Sequence, residues 1–129
     1  IDYYDESPAA GVGTYLSDSP AYNTIELPSR LVPKTASFCC RITGDSMEPT
    51  YPKYCKVFVE ARPMIESGED GIFVYNGTSV FKRLLIDQKK GIMRLTSINP
   101  TGPTFEVGEG DDVYTVGKVV GIYVPEEMK

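Results

Sequence analysis

Glycine and proline punctuate this chain along its whole length. Twelve glycines and ten prolines are spread over 129 residues, and the longest stretch free of both runs from Thr78 to Lys90. A helix of ordinary length has almost nowhere to form, because both residues disfavour helix interiors, proline most severely. Between the breaks lie short runs rich in β-branched and aromatic residues, which suit a pleated strand. They predict strands at 37–42, 56–60, 71–75, 78–85, 92–97 and 113–124. Asn76-Gly77 stands between two of these runs and is a strong hairpin signal, and Lys90-Gly91 marks a second turn. Gly117 and Gly121 interrupt the last run, so a bulge or a break into two short strands is expected there. The expected fold class is all-β, a compact set of twisted antiparallel sheets or a partly closed barrel.

One domain fits this length. Residues 1–33 are rich in Asp, Ser, Pro, Ala and Gly and read as a linker or arm, with residues 34–129 as the domain proper. The N-terminus reads Ile-Asp-Tyr-Tyr-Asp-Glu, acidic where a signal peptide is basic and then apolar. It begins without a methionine, and an upstream part of the protein is expected. No apolar run approaches the ~18 residues of a membrane span. The net charge is −5 without a basic cluster, which argues against direct binding of DNA or an anionic membrane by this segment.

The chain contains no histidine. That removes Ser-His-Asp and Cys-His catalysis and every His-based metal site, so any nucleophile must find its base in a lysine, a carboxylate or a terminus. Cys39, Cys40 and Cys55 are odd in number and lack C-x-x-C spacing, which supports neither a disulfide framework nor a zinc site. Cys39 and Cys40 are adjacent and would point to opposite faces of a strand as small core residues. Reduced thiols suit a cytoplasmic location. Cys55, between Lys53 and Lys56, is read as a core thiol before a redox-sensitive one. The acidic run Glu106, Glu109, Asp111 and Asp112 reads as a solvated loop, its spacing wrong for a calcium loop. No cofactor or metal is expected. Nine tyrosines without basic interleaving do not make a nucleic-acid platform; some suit a dimer interface.

Two segments carry candidate chemistry. Gly44-Asp45-Ser46-Met47-Glu48-Pro49-Thr50 follows an apolar strand. Gly44 permits a sharp turn, and Pro49 fits the first turn of a short helix. Such a bend exposes Ser46, and the backbone N–H groups of Ser46 and Met47 would be available to an oxyanion. The plain alternative is a serine that caps a turn. In Ser79-Val80-Phe81-Lys82-Arg83-Leu84-Leu85, strand alternation puts Lys82 on one face with Val80 and Leu84, and Arg83 on the other. Burial there would lower the lysine pKa towards the range a general base needs. The alternative is a lysine that snorkels to water from a sheet edge. Taken together in a chain without histidine, the two segments form a candidate Ser46–Lys82 dyad.

Gly44 to Thr50, followed by Val80-Phe81-Lys82-Arg83-Leu84, resembles the serine–lysine autopeptidase domain of LexA and phage CI-type repressors, shared by UmuD-type translesion proteins. Leu95-Thr96-Ser97-Ile98-Asn99-Pro100 and Val116-Gly117-Lys118-Val119-Val120-Gly121 are similar to later motifs of the family, in the same order. The resemblance spans residues 37–124. It implies a compact LexA-like fold of twisted antiparallel sheets with at most a short helix after the nucleophile. It also implies a self-cleavage site at an Ala-Gly bond upstream, for which Ala10-Gly11 is the candidate. Small residues suit a scissile turn that enters a narrow cleft. The resemblance departs where relatives carry Gly-Asp before the next strand; this chain has Tyr54-Cys55.

The implied function is that of a repressor's C-terminal domain. It would form a homodimer, present helix-turn-helix DNA-binding heads carried upstream, and cut itself at Ala10-Gly11 when an activated RecA filament forms after DNA damage, as in the SOS response or prophage induction. Alternatives are a UmuD-like polymerase accessory protein and a dimerisation module with little self-cleavage. Signal-peptidase-like processing of other proteins is disfavoured by the lack of a membrane anchor.

Overall fold

The computed structural model describes residues 1–4, 22–24 and 27–124. The β-branched and aromatic runs form strands where alternation predicts them. In chain order these are β1 (Asp2–Tyr4), β2 (Tyr22–Thr24), β3 (Phe38–Arg41), β4 (Lys56–Ala61), β5 (Asp70–Tyr75), β6 (Thr78–Asp87), β7 (Ile92–Thr96), β8 (Phe105–Val107) and β9 (Val113–Tyr123). A 3-10 turn lies at Ser29–Leu31, and the described residues contain no α-helix. The strands β1 and β2 fall within the 1–33 segment, and β8 lies where no strand was expected. At three residues each, they are too short for periodicity to reveal them.

The nine strands of the described residues join one sheet in the order β2-β1-β3-β4-β9-β5-β6-β7-β8. The β1–β3 pair is parallel and every other pair is antiparallel. The last strand is therefore central: β9 pairs with β4 on one side and β5 on the other. Its glycines mark bulges, not a break. Val120 is the extra residue opposite Phe58/Val59, and Val116 the extra residue opposite Ile72/Phe73. A bulge bends the strand and strengthens its twist. Gly117 sits where three strands crowd, since a Cβ there would run into the Glu60 carbonyl.

Hairpins fix the register. Asn76 (φ 49°) and Gly77 (φ 84°) take the left-handed region between paired Tyr75 and Thr78, as a type I′ turn requires. Alternation then sorts the core. Cys40, Val57, Val59, Ile72 and Phe81 bury on one side, with Ile42 and Met47. Phe73, Val80, Leu84 and Leu95 form a second cluster, and Cys39 with Phe58 a third. The adjacent Cys39 and Cys40 thus face opposite ways as expected. Both are fully buried free thiols, as is Cys55.

The turn at 52–55 explains the departure from the Gly-Asp pattern. Tyr54 has φ 72°, a conformation a glycine adopts without strain. Its N–H donates to the Ile42 carbonyl (2.6 Å), and the Ile42 N–H donates to the Cys55 carbonyl (2.8 Å). The guanidinium of Arg41 and the ammonium of Lys53 stand 4.9 and 5.2 Å from the Tyr54 ring centroid. Strand β4 consequently starts in register, with Lys56 opposite Arg41. The expected outcome of Tyr54→Val is a loss of about 1–2 kcal/mol in chemical denaturation, because a β-branched residue strongly resists positive φ. Tyr54→Asn should lose less, since Asn visits that region readily.

Candidate active site

The loop between β3 and β4 carries Ser46. Its two ends are closed by the Ile42–Cys55 and Tyr54–Ile42 hydrogen bonds, so the intervening residues form a compact excursion. Met47 anchors it: the side chain is 1% exposed and packs with Ile42, Cys55, Val57 and Phe81. Its half-buried neighbour Ser46 is thereby held at the surface of the core. No helix follows. The segment runs through successive turns, with the Glu48 N–H donating to the Asp45 carbonyl and the Tyr51 N–H to the Met47 carbonyl. Six residues holding Pro49 and ending at Pro52 cannot meet the cost of helix nucleation. The N–H groups of Ser46 and Met47 have no acceptor among the described residues.

Tyr51 ties this turn to the sheet. Its ring meets Phe81 edge-on at 4.8 Å between centroids, and its hydroxyl donates to Asp70 (2.7 Å). The same carboxylate accepts two bonds from Arg83, at 2.8 and 3.2 Å. Burial and the Asp70 carboxylate together hold the Tyr51 phenol above its ordinary pKa. Arg83 faces away from Lys82 along β6, as alternation predicts.

Lys82 is 4% exposed, on the face that Val80 and Leu84 bury. Its amine donates to the Ser97 hydroxyl (2.9 Å) and lies 5.7 Å from the centroid of the Phe105 ring. Burial lowers its pKa from 10.5 to about 8. The snorkelling alternative fails, because Lys82 is buried and its amine is held by Ser97.

Pairing opens a cleft here. β7 meets β6 only from Arg83 to Asp87, so among the described residues Thr78–Lys82 has β5 on one side and no strand on the other. The gap is a cleft of about 330 Å³ lined by Ser46, Val80, Lys82, Pro103 and Phe105 among others. The structure thus brings Ser46 and Lys82 to one cleft. Ala10-Gly11 lies outside the described residues.

The sequence reading assigned no role to Ser97, Asn99 or Phe105. Asn99 bridges to the serine turn: its backbone N–H donates to the Ser46 carbonyl (2.9 Å) and its side-chain amide to the Asp45 carbonyl (3.1 Å). The signal for Ser97 and Asn99 was the motif from Leu95 to Pro100, whose polar residues lie at and beyond the end of β7; Phe105 had no such signal.

The remaining candidates are structural. Burial pushes the Cys39 thiol up to about 12 and Cys55 to about 11, so neither is a reactive thiolate despite neighbouring Lys56. Asp111 accepts bonds from the Asn76 side chain and the Gly108 N–H, which hold its carboxyl below the ordinary range and tie the β8–β9 loop to the hairpin. The described residues contain no group of three or more potential metal ligands of the His, Cys, Asp or Glu kind, and no helix long and apolar enough to cross a membrane.

The lysine sets a pH-dependent stability. Unfolded, Lys82 titrates near 10.5; folded, near 8. Between these values the unfolded chain binds more protons, so the lysine's penalty is full below pH 8 and relieved as pH rises to 10.5. Lys82→Met should therefore gain up to about 3 kcal/mol over wild type at neutral pH, with the gain shrinking at alkaline pH. Urea denaturation of both chains across that pH range checks it, since the difference cancels the titration of the cysteines and tyrosines.

Among curated proteins, none matches the chain. The family model described as Peptidase S24-like matches residues 2–120, which takes in the Ser46 turn, the Lys82 strand and the loop that joins them. The chain belongs to that family, the autopeptidase domains of the LexA, CI and UmuD kind.

Proposed function

We propose that this chain is the C-terminal regulatory domain of a LexA/CI-type transcriptional repressor. It dimerises and cleaves its own chain at Ala10-Gly11, with Ser46 as nucleophile and Lys82 as general base. The observation that carries this reading is a buried lysine, with no carboxylate partner among the described residues, in the cleft that the Ser46 turn also lines. At pH 7 a group titrating near 8 is unprotonated about a tenth of the time, against roughly three parts in ten thousand for one near 10.5. Burial thus supplies several hundredfold more base.

The chemistry follows in two steps. Neutral Lys82 takes the Ser46 hydroxyl proton as Oγ attacks the Ala10 carbonyl carbon. The N–H groups of Ser46 and Met47 stabilise the oxyanion. Protonated Lys82 then gives its proton to the departing Gly11 amine, leaving Ala10 esterified to Ser46. Lys82 next removes a proton from water as it attacks the ester, and returns that proton to Ser46 Oγ as the ester bond breaks and the Ala10 carboxylate leaves. The unpaired half of β6 suits an extended segment of the chain in the cleft.

Dimerisation holds two upstream helix-turn-helix heads at operator half-sites, and cleavage separates them from the dimeriser, relieving repression in the DNA-damage response. A RecA filament acts by favouring the conformer with the arm docked in the cleft.

Intact-mass spectrometry tests the reading after incubation at pH about 7 and about 10, since alkaline pH deprotonates Lys82 without a partner. The expected product is loss of the residue 1–10 peptide, faster at high pH, with a rate that levels off above about 8. Ser46→Ala and Lys82→Ala should both stay intact. An uncut, folded wild-type chain at both pH values would leave dimerisation as the role of the domain.

A further inference from the structure

The hydroxyl that receives the Lys82 amine is itself committed. Ser97 Oγ donates its proton to the Pro103 carbonyl at 2.6 Å. A hydroxyl carries one proton, so towards Lys82 it acts only as an acceptor. A neutral amine has two N–H bonds and one lone pair. Giving an N–H to Ser97 turns the lone pair away from Ser97 and limits rotation about the terminal bond of the lysine.

Ser97 is locked in turn by its own loop. A Cβ at Gly102 would stand 2.6 Å from Ser97 Oγ and 2.7 Å from its Cβ, so position 102 admits the serine only by lacking a side chain. The Gly102 N–H donates to the Asn99 carbonyl (2.9 Å), and the Asn99 N–H donates to the Ser46 carbonyl. One short loop, residues 97–103, therefore grips both halves of the dyad.

The charged groups around Lys82 are otherwise engaged or distant. Arg83 pairs with Asp70 on the opposite face of β6. On β8, Glu106 pairs with Arg94 of β7. Gly71 is the residue opposite Lys82 on β5. Asp45, exposed on the serine turn, is the other charged side chain lining the cleft among the described residues.

We propose that Ser97 is a positioning residue of the dyad, an acceptor-only hydroxyl that fixes the Lys82 amine and aims its lone pair across the cleft towards Ser46. The inference rests on Lys82 being the general base. Because an acceptor favours the ammonium over the amine, Ser97 also works against burial and keeps the lysine from falling lower.

The test uses the full chain with Ser97→Ala and Ser97→Thr. Self-cleavage is followed against pH, and the Lys82 titration is read directly by NMR of side-chain-labelled lysine in an uncut Ser46→Ala background. For Ser97→Ala we expect the high-pH plateau rate to fall roughly tenfold from lost orientation. Both the kinetic and the NMR midpoints should move down by about half a unit to one unit as the acceptor is lost. Ser97→Thr, which keeps the hydroxyl, should return both towards wild type. An unchanged midpoint sinks the proposal, even if the rate falls equally at every pH, for that is the mark of a merely structural loop residue. A Ser97→Ala chain that fails to fold sinks it in the same way. If wild type never cleaves but the NMR midpoint still moves, the dyad reading falls while the hold of Ser97 on Lys82 stands.

Discussion

A buried amine with no carboxylate beside it among the described residues is the constraint on which this site depends. Burial alone lowers Lys82 to about 8. An acidic neighbour at hydrogen-bond distance would reverse that by favouring the ammonium. The two contacts that do favour the charged form, the Ser97 oxygen and the Phe105 ring, are neutral and moderate. The lysine is thus left between two failures, one as an ordinary ammonium and one as an amine too weakly basic to take a serine proton. Its neighbours Val80, Leu84 and Leu95 supply apolar burial that offsets part of the desolvation cost.

Keeping that lysine inward is a matter of register. A slip of one residue along β6 would exchange Lys82 for Arg83 at the cleft. Several features oppose it together. The type I′ turn pins Tyr75 to Thr78, and the two-toothed contact of Arg83 with Asp70 lies on the other face. Tyr51 shares that carboxylate and belongs to the loop bearing Ser46. An ion pair on one face of the strand therefore aligns the proposed Ser46–Lys82 pair on the other. This gives the Tyr51–Asp70–Arg83 group a role beyond the modest energy of a part-exposed ion pair.

Much of this was legible in the sequence, and the physical reason differs by element. The six long strands were readable because alternation and Gly/Pro punctuation agree, and their ends fall within a few residues of expectation. Lys82 was readable because Val80 and Leu84 flank it at strand spacing. The turns after Ser46 were less so: Pro49 suits a helix start, and only the shortness of the segment decides against one. Tyr54 in a left-handed turn was illegible, since nothing local in the sequence marks a tyrosine for positive φ. Ser97 and Asn99 act across the fold, on residues 15 and 54 positions away in sequence, and no local pattern encodes such partners.

The same physics links substrate entry to base strength. In the free cleft the lysine is mostly protonated at neutral pH, because its pKa of about 8 still lies above 7, and the cleft beside it leaves about 330 Å³ of space open to water. A segment of the chain seated against the open half of β6 displaces that water. Displacement raises the cost of the ammonium and lowers the pKa further. In the proposed reaction, the step that delivers the scissile bond is then also the step that makes the base. An effector that stabilises the seated arm needs no contact with Ser46 or Lys82, since its differential affinity for the docked conformer is enough to raise both the substrate occupancy and the fraction of neutral amine.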